Sequence, residues 1–166
     1  KAGSGSTVIS LAGLNTDDQL IGGSATTDKV TATGITGLTA LTGILNIQDF
    51  ETVYLEATGG NTLDASKLSG VDTLGIYGSS ITVAQKITNL ASGVAVGIGS
   101  KDAEFDGGGD VDVTLADETG DADSLTVKID NRSGGDTDAD VLTDSTIESV
   151  TLDLLDLDTA SSRDAT

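Results

Sequence analysis

The stretch Phe50-Glu51-Thr52-Val53-Tyr54-Leu55 follows the pattern apolar, acidic, Thr or Ser, apolar, any residue, apolar. The same hexad recurs as Val71-Asp72-Thr73-Leu74-Gly75-Ile76 and as Ile147-Glu148-Ser149-Val150-Thr151-Leu152. Because side chains alternate between the two faces of a strand, the first, fourth and sixth positions cannot share one face of a flat strand. Each copy therefore requires a bend, a bulge or burial on both faces, as expected of a strand stacked between its own repeats.

Looser versions of the hexad lie at 93–98, 110–115 and 124–129, so that a short β-branched strand recurs roughly every 14 to 23 residues. A period of this length is typical of a solenoid, in which each coil packs on the next. We therefore predict an all-β fold, a right-handed parallel β-solenoid (β-helix-like) built from short strands. The segments 50–55 and 71–76 are 21 residues apart, and we expect them to be adjacent, parallel coils.

Two further segments carry local predictions. Short apolar pieces separated by Gly and Asp turns within residues 8–34 predict brief strands. The spacing of Ala84, Ile87, Leu90 and Ala91 is compatible with a helix, so one short helix is expected near 84–91.

The composition excludes several kinds of site. The 166 residues include no Cys and no His, which removes disulfides, thiolate nucleophiles, imidazole bases and the usual zinc and haem ligands. The aromatic residues are only Phe50, Tyr54, Tyr77 and Phe105, so small branched residues must fill the core. No apolar run approaches the ~20 residues that a membrane-spanning helix needs.

The net charge of −19 is unevenly distributed. Residues 1–100 carry eight acids and four bases, a net charge of −4, whereas residues 101–166 carry nineteen acids and four bases, a net charge of −15. We interpret 1–166 as a single β-solenoid segment of a longer chain, with a weakly charged half and a strongly acidic half. Nucleic acid and anionic membranes are poor partners for such a chain, because both are bound through Lys and Arg.

The acidic half contains candidate calcium ligands. The loop from Asp136 to Asp144 has carboxylates at the 1, 3, 5 and 9 positions of a calcium loop, although it lacks the glycine and final Glu of an EF-hand. Other acids flank glycines or one another, and each cluster has the alternative of being a solvated acidic turn. The candidate calcium ligands are Asp28, Asp106, Asp110, Asp112, Asp117, Asp121, Asp123, Asp136, Asp138, Asp140 and Asp144.

The segment Leu20-Ile21-Gly22-Gly23, followed by Asp28-Lys29-Val30, resembles a degenerate RTX-type nonapeptide repeat. Four residues separate the glycines from Asp28 and the third glycine is missing, so a Gly-Gly turn beside a solvated Asp is the alternative. With the hexads, this segment resembles the β-solenoid part of RTX-related S-layer proteins and large surface adhesins. The resemblance implies calcium dependence, type I secretion and a location on the bacterial cell surface.

These observations favour a non-catalytic structural component of a bacterial cell surface, of the S-layer or the extracellular matrix and adhesin type, stabilised by calcium. Its expected partners are further copies of itself in a lattice, or the cell-surface polysaccharide. The alternative is a β-helix domain of a secreted carbohydrate-active enzyme, which requires carboxylates with Lys or Arg nearby. Lys128, Asp130 and Arg132 form the one mixed-charge patch of this kind, and cross-strand ion pairing explains it more simply.

Overall fold

The computed structural model describes residues 7–12, 14, 18–35, 46–57, 61–78, 85–98, 111–117, 119, 122–130, 141–143 and 147–155. These residues form short β-strands and one 3-10 turn, Ala65–Lys67, with no α-helix among them. The strands are β1 (Val8–Ala12), β2 (Gln19–Ile21), β3 (Lys29–Ile35), β4 (Asn46–Gln48), β5 (Thr52–Ala57), β6 (Asn61–Asp64), β7 (Leu68–Ser69), β8 (Thr73–Gly78), β9 (Gln85–Leu90), β10 (Ala95–Ile98), β11 (Val111–Leu115), β12 (Ser124–Asp130), β13 (Val141–Thr143) and β14 (Ser149–Leu155).

The strands form three parallel sheets, which make the chain a β-solenoid. A seven-stranded main sheet has the order β1-β3-β5-β8-β10-β12-β14. Between successive strands of the main sheet, the chain passes through a three-stranded sheet, β2-β4-β7, or a four-stranded sheet, β13-β11-β9-β6, and between β5 and β8 it passes through both. The coil length varies from 21 residues, between the paired Val8 and Lys29, to 31 residues, between the paired Val96 and Val127.

The first two hexads lie in adjacent coils, as the sequence predicts. Thr52 of β5 pairs in parallel with Thr73 of β8, and Val53 pairs with Leu74. Each strand begins at the third hexad position, so the first position lies in the preceding turn. This bend lets Phe50 point into the core together with Val53 and Leu55, all fully buried.

A column of apolar residues runs along the inner face of the main sheet. Its members are register partners from one strand to the next, and they are Ile9, Val30, Val53, Leu74, Val96, Val127 and Leu152. The five central members are at most 1% exposed. Burying a Val or Leu side chain is worth about 1.5–3 kcal/mol, so this column is a principal source of stability.

The third hexad is displaced in the stack. Its sixth residue, Leu152, lies in the same column as Leu74 and Val53, which are the fourth residues of their hexads. The displacement is two residues, which preserves the inward and outward faces because the side-chain period of a strand is two. Since β14 is the last strand of the main sheet, Leu152 is 62% exposed rather than buried.

The helix predicted near 84–91 is wrong, because residues 85–90 form strand β9. Asn89 has a φ of 55°, in the left-handed region, and the register shifts there between β9 and β11. This β-bulge turns Leu90 to the same side as Ile87, and both are buried. The three-residue spacing of Ile87 and Leu90 thus comes from a bulge and not from a helical period.

One corner of the solenoid depends on close backbone approach. After the three-stranded sheet, Gly22, Asp49 and Gly70 follow the paired residues of β2, β4 and β7. Asp49 and Gly70 have positive φ values of 57° and 64°. A Cβ atom on Gly22 would lie 1.6 Å from the carbonyl oxygen of Asp49, so this position requires glycine.

Candidate metal-binding carboxylates and an amide-capping ladder

The structure describes four of the eleven predicted calcium ligands. Within the described ranges, no group of three or more Asp, Glu, His or Cys side chains is placed so as to hold a metal ion. The four described residues are Asp28, Asp112, Asp117 and Asp123. The other seven lie outside the described residues, and they are Asp106, Asp110, Asp121, Asp136, Asp138, Asp140 and Asp144.

Asp28 is a fully buried carboxylate whose two oxygens both accept backbone hydrogen bonds. Its Oδ1 accepts from the amide of Thr7 at 2.7 Å, and its Oδ2 accepts from the amide of Gly23 at 2.7 Å. The first bond joins two coils, and the second closes the Gly22-Gly23 turn. The carboxylate therefore satisfies two amides that would otherwise lie near the core without a partner.

The bond from Thr7 to Asp28 is one example of a repeated contact, which we call the amide-capping ladder. The amide of Asp28 donates to Glu51 Oε2 at 2.6 Å, and the amide of Asp123 donates to Glu148 Oε2 at 2.9 Å. In each case, the residue that donates the amide immediately precedes one strand, and the residue that supplies the carboxylate immediately precedes the strand paired with it in the next coil. The ladder carboxylates are Asp28, Glu51 and Glu148.

The ladder explains the acid at the second position of the first and third hexads, whereas Asp72 of the second hexad is exposed. In a parallel pair, the first strand residue of one coil donates to the coil before it, as Thr52 does to the carbonyl oxygen of Asp28 at 3.1 Å. The amide of Asp28 points to the same coil as its carbonyl group, where a side chain at the strand start can meet it. A carboxylate suits this position because hydrogen bonds to a charged acceptor are stronger than those to a neutral one.

Asp112 is held by an ion pair on the four-stranded sheet. Lys86 Nζ of β9 lies 3.0 Å from Asp112 Oδ2 of the neighbouring strand β11. The two side chains are 45% and 38% exposed, so water screens the pair and its contribution to stability is small. The ion pair therefore occupies one carboxylate oxygen of Asp112, which the sequence predicts to be a calcium ligand.

Asp117 closes a local turn. Its Oδ1 accepts from the hydroxyl of Thr119 at 2.6 Å and from the amide of Thr119 at 3.1 Å. The hydroxyl bond, reinforced by the amide bond, holds the pKa of the Asp117 carboxyl below its usual value. This arrangement is an Asx-type turn, which Asp forms without any metal.

Asp64 belongs to a polar cluster that was not predicted from the sequence. Its Oδ1 accepts from Asn89 Nδ2 at 2.9 Å and from the amide of Ser66 at 3.1 Å, which caps the 3-10 turn. These bonds, the one from Asn89 above all, lower the pKa of the Asp64 carboxyl. The sequence Asp64-Ala65-Ser66 has the form of a helix cap, so this half of the cluster could have been found from the sequence.

The outer face of the main sheet carries the aromatic ring of Tyr54. A Cβ atom on Gly75 would lie 2.3 Å from Cδ1 of this ring, and one on Gly97 would lie 3.1 Å from Cε1. The ring therefore occupies the space that two glycines on the following coils leave open. Lys29 Nζ lies 5.1 Å from the ring centroid, within the range of a cation–π contact.

Of the predicted mixed-charge patch, the Lys128 side chain is described. Its Nζ donates to Thr73 Oγ1 at 3.2 Å, two strands away across β10 in the main sheet. The side chain of Asp130 and the residue Arg132 lie outside the described part. The prediction of cross-strand ion pairing in this patch stays a prediction.

No family model, no curated protein and no solved structure matches this chain. In the part that the structure describes, no helix is long and apolar enough to span a membrane.

Proposed function

We propose that this chain is a non-catalytic structural segment of a bacterial cell surface, of the S-layer or the extracellular matrix and adhesin type, stabilised by calcium. The amide-capping ladder is the observation that carries the proposal. Asp28 and Glu51, the carboxylates most closely engaged in the fold, bind backbone amides of neighbouring coils. A chain that repeats an acid for this purpose uses its motif for stacking, which suits an extended structural module.

Calcium is the cofactor that fits the acidic half. A net charge of −15 over residues 101–166 disfavours a compact state through self-repulsion. The acids between Asp106 and Asp144 alternate with Gly, Ala and Thr, so carboxylates and carbonyl oxygens are both abundant. Ca²⁺ takes six to eight such oxygens, and its binding would relieve the repulsion.

The partners that we propose are further copies of this chain, in a lattice, or the polysaccharide of the cell surface. Lys and Arg number only eight against 27 acids, which makes nucleic acid an unfavourable partner. The proposed location is extracellular, after type I secretion, as the resemblance to RTX-related surface proteins implies.

Thermal unfolding in four buffers tests the proposal. We expect the melting temperature to be higher in millimolar Ca²⁺ than in EDTA, because a ligand that binds only the native state stabilises it by about 2.7 kcal/mol at a hundredfold excess over Kd. Mg²⁺ should substitute poorly, because it prefers rigid, partly hydrated octahedral sites. NaCl of matched ionic strength is the control for screening. Equal melting temperatures in Ca²⁺ and matched NaCl would contradict the calcium proposal.

The alternative, a β-helix domain of a secreted carbohydrate-active enzyme, has one observation in its favour. Tyr54 lies on the outer face of a parallel sheet near Lys29, and ligand sites are commonly lined by aromatic side chains with a few charged or polar groups. Incubation with a panel of bacterial polysaccharides, followed by measurement of new reducing ends or unsaturated products, separates the two proposals. Product formation that is lost in Tyr54→Ala would favour the enzyme.

A further inference from the structure

The exposed apolar side chains lie at the two edges of the main sheet. Among the side chains that the structure describes, the exposed large hydrophobic ones are Val8 (70%), Val150 (49%) and Leu152 (62%). Val8 belongs to the first edge strand, β1, and the other two belong to the last, β14. Exposed apolar edge strands favour pairing with another chain.

The two edges present backbone groups that can pair with each other. Ser149 donates to Asp123 on the preceding coil, so the backbone groups of its neighbour Val150 face the open edge of β14. Thr7 accepts from Lys29 on the following coil, so the backbone groups of Val8 face the open edge of β1. Within the described residues, no further strand pairs with these groups on either edge.

The side-chain columns are also continuous across such a junction. Leu152 ends the inner column that begins at Ile9, so placing β1 of a second copy on β14 would put Ile9 on Leu152. The same register would place Val8 opposite Thr151 on the outer face, because both lie in the column of Lys29 and Thr126. β1 contains no charged residue, and β14 contains only Asp153.

Charge disfavours the pairing of β14 with β14. The half that contains β14 has a net charge of −15, and the half that contains β1 has a net charge of −4. Pairing β14 with β14 would bring two strongly acidic halves together, which like-charge repulsion opposes. Pairing β14 with β1 instead places the acidic half of one copy beside the weakly charged half of the next.

We infer that copies of this chain stack end to end, with β14 of one copy pairing in parallel with β1 of the next. The inference rests on the proposed structural function and names the surface that carries self-association. Because the two edges differ, the contact is heterologous and does not close on itself, so it generates an open filament rather than a dimer.

Cysteine cross-linking of the full chain tests the contact and its register. The chain has no native cysteine, and Val8 and Thr151 are exposed, so Val8→Cys and Thr151→Cys introduce unique thiols on the outer face. At high protein concentration in millimolar Ca²⁺, a short thiol cross-linker should convert the double variant into a ladder of dimers, trimers and larger species. Each single variant should stay uncross-linked, because its thiols lie on non-contacting edges.

Dimers from Thr151→Cys alone would show pairing of β14 with β14 and would overturn the inference. A double variant that stays monomeric would also overturn it.

Sedimentation velocity of Leu152→Asp provides an independent test. We expect at least a tenfold loss of association, with a melting temperature close to that of the wild type, because Leu152 is already exposed. Ser92→Asp, at an exposed turn away from both edges, adds the same charge as a control. Association that Leu152→Asp leaves unchanged would overturn the inference. Calcium-dependent melting is a property of a single copy and does not require stacking. The proposed function can therefore hold even if end-to-end stacking fails.

Discussion

Glu51 accepts a hydrogen bond at 2.6 Å from the amide of Asp28, the residue before the paired strand of the preceding coil. Asp28 does the same for Thr7, so two successive acids connect three coils through backbone amides. Glu51, the acid of the first hexad, is therefore a stacking residue, and Asp28 has the same role one coil earlier. This assignment leaves the other acids of the chain, above all those of residues 101–166, as the candidates for the calcium binding that we propose.

Replacement of Asp28 by Ala should destabilise the protein by about 2–6 kcal/mol, because two amides lose their acceptor and each unsatisfied buried donor costs about 1–3 kcal/mol. Urea unfolding followed by circular dichroism measures the change. Asp72→Ala is the matched control, since Asp72 also immediately precedes a strand of the main sheet but is exposed. We expect that control to stay within about 0.5 kcal/mol of the wild type. Equal losses in the two variants would contradict the ladder.

Leu74→Ala should cost about 2–5 kcal/mol, because Leu74 is fully buried in the inner column and its truncation leaves a cavity. Val53→Asp should prevent folding, since an unpaired charge would enter the same column. Leu152→Ala serves as the control from the exposed end of that column, where the free energy of unfolding should change little. A larger loss for Leu152→Ala than for Leu74→Ala would be inconsistent with the stacking order.

Much of the stack was predictable from the sequence. The hexads at 50–55 and 71–76 were expected to be adjacent and parallel, and the pairing of Val53 with Leu74 confirms it. The displacement of the third hexad was not predictable, because a two-residue step keeps every side chain on the same face and leaves the hydrophobic pattern unchanged. The bulge at Asn89 was missed for a related reason, since its three-residue spacing also fits a helix.

The contacts of the candidate site could be predicted from the sequence only in part. The sequence brought Gly23 and Asp28 together in one motif, and the structure places them in contact. It did not reveal that Asp28 is buried and binds Thr7, because that contact depends on the register between β1 and β3. Local spacing cannot report a bond between coils that are 21 residues apart.

Two glycines should respond differently to substitution by alanine. Gly34→Ala should cost about 1–2 kcal/mol, the usual penalty of a left-handed backbone, since its φ is 68° and no atom beyond its chain neighbours lies within 4 Å of the added Cβ. Gly22→Ala should cost more, because the added Cβ would collide with the Asp49 carbonyl oxygen and separate two coils. Thermal melting of the two variants measures the difference, and the reverse order would contradict the corner geometry.

The pKa of Asp64 should rise toward its ordinary value of 3.8 in Asn89→Gly, because the side-chain donor that lowers it most is removed while glycine tolerates the positive φ. In the wild type, the folded pKa lies below the unfolded one, so the bond stabilises the fold above the unfolded pKa. That contribution is lost as the pH falls through the folded pKa. Carboxyl titration by NMR measures the shift, with Asp117 as an internal reference. An unchanged Asp64 pKa in the variant would contradict the assignment.

The most direct test of the division between stacking acids and calcium-binding acids is a calorimetric Ca²⁺ titration of four proteins: the wild type, Asp138→Asn, Asp164→Asn and Glu51→Gln. We predict saturable binding that Asp138→Asn weakens or reduces in stoichiometry, since Asp138 lies in the acidic loop with the 1, 3, 5, 9 spacing. Asp164→Asn should bind as the wild type does, and Glu51→Gln should bind calcium normally while melting at a lower temperature. Absence of saturable binding in the wild type, or a loss of calcium in Glu51→Gln equal to that in Asp138→Asn, would contradict the account.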